Sequence, residues 1–316
     1  MWAGVYDFVR DSGYLVVGGT CPTVGAAGGW IQGGGHGPYS PTYGLGVDNN
    51  MQMKVVLRNG TFVPANRCQN QDICFALRGG GGGTFGVVTE VSTKVHKDSA
   101  FTFASLGMAI PTGSQEITEI FVKNANKWAE GWGGYLGFGA GSTVLFIGTT
   151  PKISVEQAQD SLKPIYEDFG SVSNGGAIAY RKNITSLPSQ AAFQRTPESI
   201  AFGSKDIGSM IAQSSILVPK ETFEDEKTQK ALVDILVQKG IYGALLSALT
   251  PVWRTSPWHL VYQTIFDPAD ATKTSIEALT KIFSDVSKDM DRIREITPTG
   301  GAWKETEDRH KCYPKI

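Results

Sequence analysis

Apolar and polar residues follow two different patterns along the chain, and the change falls near residue 99. Residues 1–99 combine short periodic segments with long glycine-rich stretches, whereas residues 100–316 alternate longer strand-like and helix-like segments. We therefore predict two domains with these bounds.

The periodic segments of residues 1–99 predict short elements around a glycine-dense loop at 18–46. The predicted elements are a helix over 2–10 that ends at Gly13, strands over 14–17, 47–57 and 86–95, and a short helix over 72–77. Asn59-Gly60 follows the second strand and is a hairpin turn signal. In the third strand, strict alternation would place every second residue on one face, namely Val87, Thr89, Val91, Thr93 and Val95.

Residues 100–316 predict longer elements in the order strand, helix, strand, strand, helix, strand. The predicted strands are 101–109, 134–138, 143–149, 176–180, 241–249 and 258–266, and the predicted helices are 114–130, 153–168, 220–239 and 271–294. Gly139-Ala140-Gly141 predicts a hairpin turn between the second and third of these strands. The order favours an antiparallel sheet with helices on one face, and therefore an α+β fold.

Composition narrows the class of protein. Apolar residues make up 41% of the 316 residues and charged residues 19%, which is ordinary for a globular protein. The net charge of −1 gives no reason to expect a nucleic-acid partner, and no apolar run approaches the ~20 residues that span a membrane. The four cysteines are too few for a disulfide scaffold. Glycine is the exception, because its 38 residues are clustered at particular places.

The densest cluster lies at residues 18–37, where nine of the twenty residues are glycine. Backbone without a Cβ atom can approach a flat or anionic ligand closely, and its N–H groups become donors. A G-x-G-x-x-G match at Gly81, Gly83 and Gly86 precedes a strand, which is the wrong context for a Rossmann site. The sequence contains no Walker loop, no G-x-S-x-G elbow and no H-E-x-x-H.

Two long segments carry a resemblance to a known family. The first contains Cys21-Pro22-Thr23-Val24-Gly25, then Gln32-Gly33-Gly34-Gly35-His36, then Tyr43-Gly44-Leu45-Gly46-Val47-Asp48-Asn49, and the second runs from Asn70-Gln71-Asp72 through the five glycines at 79–83 to Gly86-Val87-Val88. In order and spacing they resemble the berberine-bridge-enzyme-like oxidases of the vanillyl-alcohol-oxidase superfamily. The resemblance implies the second part of a PCMH-type FAD-binding domain over 1–99, followed by an antiparallel-sheet substrate domain over 100–316 that is flanked by helices.

The resemblance also implies FAD as the cofactor and a set of residues that hold it. The implied cofactor-binding residues are Cys21, Pro22, Thr23, Val24, Gly25, Gly28, Gly29, Gly34, His36, Gly86 and Val88. In a subset of the family, a cysteine at the position of Cys21 bonds covalently to the flavin. A small buried side chain is the other interpretation of Cys21, and both stay open. For His36, structural hydrogen bonding and a catalytic role stay open. No metal site is expected, and no catalytic base is assigned.

The function implied by the resemblance is the two-electron oxidation of a small organic substrate (an alcohol, sugar or alkaloid), with hydride transfer to flavin and oxygen as acceptor. The family's first FAD subdomain and its C-terminal berberine-bridge segment have no counterpart here, so we expect the chain to be truncated at both ends. Met1 is not followed by a secretory signal, although a secreted parent is compatible with the sequence. Two alternatives stay open. One is a non-catalytic remnant that does not hold flavin, and the other is a carbohydrate-binding module.

Overall fold

The chain divides into two compact units. The structure, a computed structural model, describes residues 1–109, 114–139, 143–173, 179–204, 210–239, 242–245, 256–266 and 275–299. The first unit comprises Met1–Phe103, Thr149–Ser154 and Thr185–Lys205, and the second comprises the remainder. The chain therefore leaves the first unit near residue 103 and returns to it twice.

Most of the helices and strands in the first hundred residues are shorter than those that follow. The helices are α1 (Trp2–Val9), α2 (Ser40–Tyr43), α3 (Gly46–Asn49), α4 (Gln71–Leu77), α5 (Ser114–Ala129), α6 (Val155–Ser173), α7 (Gln190–Gln194), α8 (Pro197–Ser204), α9 (Glu226–Lys239) and α10 (Ile276–Ile296), with a π-helical turn over Ala26–Trp30 and a 3-10 turn over Lys220–Phe223. The strands are β1 (Tyr14–Val16), β2 (Asn50–Val56), β3 (Phe62–Asn66), β4 (Val87–Thr93), β5 (Val95–Lys97), β6 (Phe101–Ala109), β7 (Gly133–Gly139), β8 (Thr143–Thr150), β9 (Ala179–Leu187), β10 (Met210–Val218), β11 (Tyr242–Leu245) and β12 (Trp258–Phe266).

The first unit contains two small antiparallel sheets. β2 lies between β3 and β4, and β1 pairs with β5. The turn predicted at Asn59-Gly60 joins β2 to β3, and Gly60 has a φ of 82°, which glycine adopts at no steric cost. Met53 and Val55 on β2 and Ala65 on β3 are almost completely buried, and they are the part of this sheet that belongs to the core.

A β-bulge at Thr89 makes the predicted alternation of β4 wrong. Val88 pairs with Val55, but the next pair in register is Glu90 with Lys54, so Thr89 is an extra residue. The bulge reverses the faces on either side of it. Val87 is therefore 65% exposed, whereas Val91 is half-buried opposite Met53.

The second unit is built on a seven-stranded sheet with the order β10-β12-β11-β7-β8-β6-β9. β12 is antiparallel to both β10 and β11, and β11 is antiparallel to β7. α5 and α9 pack against each other, and α10 packs on β10 and β12. Mixed helices and an antiparallel sheet confirm the predicted α+β class.

Aromatic side chains form the core of the second unit. Phe121 contacts Trp128 edge-on with ring centroids 5.3 Å apart, and Trp258 contacts Phe223 in the same way at 4.9 Å. Phe121 and Trp128 are at most 1% exposed, so they bury large apolar areas. The amphipathic pattern of α5 is therefore explained by burial of its apolar face.

Two serines define where helices begin. The hydroxyl oxygen of Ser189 accepts from the backbone N–H of Ala192, and that of Ser275 accepts from the N–H of Ala278, each at 3.2 Å. Each satisfies one of the four N–H groups that a helix start leaves without an intrahelical partner.

Several elements differ from the predictions. α7, α8 and β10 were not predicted, and polar residues in the middle of β10 hide its apolar pattern. The π-helical turn and α2 lie inside the stretch that was predicted as a loop, whereas α3 occupies the start of the strand predicted at 47–57. The strand predicted at 176–180 is instead β9. Residues 140–142 and 246–255 lie outside the described residues, so the turn after Gly139 and part of the strand predicted at 241–249 are not tested. No helix among the described residues is long and apolar enough to cross a membrane.

Candidate functional site

The segment Cys21–Gly25 leaves β1 and lies on the surface of the first unit. Cys21 is half-buried, and Pro22 to Gly25 are exposed. The Cys21 thiol is free and lies 3.4 Å from the hydroxyl oxygen of Thr23. A half-exposed thiol beside a hydroxyl group can react with a ligand, whereas a fully buried one cannot.

The start of α1 holds this segment in place. The backbone N–H of Trp2 donates to the carbonyl oxygen of Val24, and the N–H of Ala3 donates to that of Pro22, each at 3.0 Å. These N–H groups stand at a helix start and have no intrahelical acceptor, so the loop carbonyls satisfy them. The conformation of the exposed loop is therefore coupled to the position of the helix.

Trp30 explains why several of the glycines are needed. A Cβ atom on Gly19, Gly35 or Gly46 would lie 2.7, 2.5 or 2.3 Å from atoms of its indole ring. Trp2 contacts the same ring edge-on, with ring centroids 4.8 Å apart. These three glycines therefore serve packing inside the protein and not ligand binding.

Gly25, Gly28 and Gly29 behave differently. A Cβ atom on any of them would meet no protein atom within 4 Å, and none of them has a positive φ. All three are exposed. Packing does not explain why these positions are glycine, and open space above glycine backbone is what a closely approaching ligand requires.

The second glycine-rich segment lies against the first. The backbone N–H of Gly81 donates to the carbonyl oxygen of Gln32 at 3.0 Å, and a Cβ atom on Gly82 would lie 3.8 Å from backbone atoms of Gly28 and Gly29. We call the surface formed by Gly25, Gly28, Gly29 and residues 79–83 the glycine surface. It brings together two segments that are far apart in the sequence.

Gly86 directly precedes β4, and Val88 lies on that strand. Gly86 has a φ of 154°, and a Cβ atom there would lie 2.7 Å from Cγ1 of Val55 and 2.8 Å from the carbonyl oxygen of Val56. Val88 is half-buried opposite Val55. Gly86 is therefore required by the packing of β4 on β2.

Gly34 and His36 shape the end of the first glycine-rich segment. Gly34 has a φ of 104°, and its carbonyl oxygen accepts from the N–H of Val47 at 3.0 Å, so it forms a turn that a larger residue would strain. Burial lowers the pKa of His36 to about 4, so its imidazole is neutral at physiological pH. This favours a structural role over proton transfer near pH 7.

Sequence reasoning missed Gln190, which joins α7 to β1 through side-chain hydrogen bonds. Its buried side-chain amide accepts from the N–H of Val16 at 3.1 Å and donates to the carbonyl oxygen of Val16 at 2.7 Å. The carboxylate of Asp98 accepts from the backbone N–H of Gln190 at 3.1 Å. No motif marks a single glutamine in a short helix, so the sequence contained no signal for this contact.

His96 lies between the side chains of Asn49 and Tyr43. Nε2 of His96 lies 2.7 Å from the side-chain oxygen of Asn49, and the ring contacts Tyr43 at a centroid distance of 4.3 Å. Burial, and then Lys94, lower the pKa of His96. Across the described ranges, no group of three or more His, Cys, Asp or Glu residues could hold a metal ion.

Curated relatives are FAD-linked oxidoreductases of fungi. The chain is 42% identical over 179 residues to "FAD-linked oxidoreductase phmC" of Phaeosphaeria nodorum, which covers 55% of this chain and 39% of that protein. It is 29% identical over 337 residues to "FAD-linked oxidoreductase ZEB1" of Gibberella zeae, which covers 99% of this chain and 57% of that protein. The chain thus spans roughly two fifths to three fifths of the length of these relatives. No protein-family model matches it.

Solved structures share the fold. The VAO-type flavoprotein MtVAO615 of Myceliophthora thermophila superposes with a TM-score of 0.79 at 23% identity, over 96% of this chain and 57% of that one. The BBE-like 1 protein of Physcomitrella patens superposes with a TM-score of 0.72 at 18% identity, over 98% of this chain and 67% of that one. Both units of the chain therefore have counterparts in flavoproteins of this type.

Proposed function

We propose that this chain belongs to the berberine-bridge-enzyme-like FAD-linked oxidoreductases of the VAO type, and that its first unit binds FAD on the glycine surface and serves the oxidation of a small organic substrate. The observation that carries the proposal is the open space above Gly25, Gly28 and Gly29. Packing within the described part of the chain does not explain these three glycines.

The residues of the glycine surface fit FAD. Its exposed backbone offers N–H donors to a diphosphate or to the polar edge of a flavin ring. Val24 and Phe85 are 37% and 44% exposed beside it, and they can cover the apolar part of the ring. Donors and apolar side chains together match a cofactor that has both a charged and a flat aromatic part.

The chemistry is divided between cofactor and protein. When bound, FAD takes two electrons from the substrate and passes them on, with oxygen as the proposed acceptor. The protein would hold the ring in place through the loop at residues 21–25, because the start of α1 fixes the carbonyls of Pro22 and Val24. Cys21 is the proposed point of covalent attachment, and the Thr23 hydroxyl lies 3.4 Å from its thiol.

The second unit is the proposed substrate domain. Its sheet carries Tyr262, a half-buried aromatic residue on β12 opposite Ser214. We propose that Tyr262 and Trp253 contact the substrate, and of these two Trp253 lies outside the described residues. Alcohols, sugars and alkaloids remain the proposed substrate classes, and no base is assigned.

Titration with FAD tests the cofactor site. Gly25 has a φ of −68° and a ψ of 114°, which any residue adopts, and it has open space around it. Gly25→Val should therefore fold normally but weaken FAD affinity by about tenfold or more. Gly131→Ala, at another open glycine, is the matched control and should leave the affinity unchanged. Equal affinity in all three proteins would contradict binding on the glycine surface.

Acid precipitation tests covalent attachment. If the flavin absorbance band stays in the wild-type pellet and is absent from the Cys21→Ala pellet, a bond between the thiol and the cofactor is supported. A pellet that is colourless, from a protein that binds FAD reversibly, would limit the proposal to non-covalent binding. A protein that takes up no FAD under any condition would favour the alternative of a non-catalytic remnant.

A further inference from the structure

The first unit contains a second concave site, separate from the glycine surface. It is a cavity of about 270 Å³ between one face of α1, the backbone of residues 18–20 and the helices α7 and α8. Gly25, Gly28, Gly29 and residues 79–83 do not line it. Pro22 is in its wall, so the cavity adjoins the loop that carries Cys21.

The charge of the cavity walls is positive. Arg10 and Asp7 both line it and form an ion pair with each other, so their charges offset. Arg195 lines the opposite wall and is exposed, and its guanidinium makes no ion pair or side-chain hydrogen bond within the described part of the chain. One guanidinium therefore remains available to an anion, and its planar fork matches a carboxylate.

Aromatic and aliphatic side chains form most of the remaining walls, together with the polar Thr20, Gln194 and Ser199. Phe193 is 3% exposed and contacts Tyr39 edge-on, with ring centroids 6.1 Å apart, so both rings are fixed. The hydroxyl of Tyr6 donates to the carbonyl oxygen of Gly19 at 2.6 Å, which holds the third aromatic ring of the cavity. Rigid rings around a small cavity favour a flat, apolar group.

We propose that this cavity binds a small carboxylic acid that carries one flat ring, with its carboxylate on Arg195 and its ring against Phe193. The volume suits a ligand of one ring and excludes one as large as FAD. This inference does not depend on the proposed FAD site, because the two sites share no glycine of the glycine surface.

Calorimetric titration of the whole chain with benzoate tests the proposal. Benzoate should bind, and the isosteric neutral benzamide and the cationic benzamidine should each bind at least about tenfold more weakly. Arg195→Gln should weaken benzoate binding by about tenfold. Arg67→Gln replaces another exposed arginine of the first unit, outside the cavity, and should have no effect.

A second variant, which fills the cavity with a larger side chain, tests whether benzoate binds there. Ile200 is 57% exposed at the edge of the cavity, so Ile200→Trp should fold and should reduce benzoate binding by filling the space. Equal binding of benzoate and benzamide, equal effects of the two arginine variants, or unchanged binding in Ile200→Trp would each overturn the proposal. Competitive displacement of benzoate by FAD would also overturn it, because the cavity would then be part of the cofactor site. Benzoate binding in a chain that binds no FAD would leave this proposal standing and refute only the proposed function.

Discussion

The backbone N–H of Gly81 donates a 3.0 Å hydrogen bond to the carbonyl oxygen of Gln32. The bond joins the two glycine-rich segments and sets Gly82 against Gly28 and Gly29. Because the donor and the acceptor are both backbone atoms, the contact depends on backbone conformation and not on side-chain identity. The positive φ of Gly81, 93°, is part of that conformation.

Replacing Gly86 by alanine should destabilise the first unit more than replacing Gly83. Both positions have a positive φ, 154° and 79°, so an alanine is strained by about 1 kcal/mol at either one. Only at Gly86 would the new Cβ atom also collide with Val55 and Val56. We expect an additional loss of about 2 kcal/mol for Gly86→Ala in urea unfolding. Similar losses in the two variants would contradict the steric argument.

Truncating Trp30 should open a cavity that its neighbours cannot fill. Gly19, Gly35 and Gly46 have no side chains, and their backbone is already in contact with the indole ring. We expect Trp30→Ala to lower the free energy of unfolding by about 3 kcal/mol and Trp30→Phe by about half as much. Thermal unfolding of the three proteins measures the difference. A loss below ~0.5 kcal/mol for the alanine variant would mean that the neighbouring residues move in and fill the cavity left by the indole ring.

Gln190→Leu should destabilise the first unit through the backbone of β1. The substitution keeps the size of the side chain but leaves the buried N–H and carbonyl groups of Val16 without their present partners. We expect a loss of about 2–4 kcal/mol and faster hydrogen exchange at the Val16 amide. Gln194→Leu, on the same helix, is the control and should leave that exchange rate unchanged. Unchanged exchange in Gln190→Leu would show that the contact is not maintained in solution.

His36 should make stability depend on pH in the acidic range. Its pKa is about 4 in the folded chain against an ordinary value of 6.5, so between these values the unfolded chain binds a proton that the folded chain does not. The resulting stability is fully present above pH 6.5 and is lost as the pH falls towards 4. We expect the wild type to lose on the order of 2 kcal/mol more than His36→Gln over this range. Urea midpoints at pH 7 and 4.5 measure it, and parallel losses in the two proteins would exclude His36 as the cause.

The long elements could be predicted from the sequence because their apolar residues recur over many positions. β6 and β12 have the bounds that were predicted, and α5 ends one residue early. The turn at Asn59-Gly60 was also predictable, since its backbone conformation favours those two residue types. In each case the physical cause is local to the segment.

What could not be predicted depends on contacts between distant segments. The bulge at Thr89 exists only because β4 pairs with β2, and alternation alone does not reveal it. The glycines near Trp30 and those of the glycine surface look alike in the sequence, and only the neighbours of each position distinguish packing from open space. The cavity walled by Arg195 and α1 likewise joins residues that no motif connects.

The return of the chain to the first unit also sets an order of events during synthesis. Val16 receives its partner Gln190 only after the intervening segment has been made, and the unit is complete only at Lys205. At ~5–20 residues per second, the ribosome needs roughly 5–20 s to pass from residue 103 to residue 205. During that interval β1 and the Cys21 loop are outside the ribosome without α7. The backbone N–H and carbonyl groups of Val16 therefore lack their Gln190 partner until α7 has been synthesised.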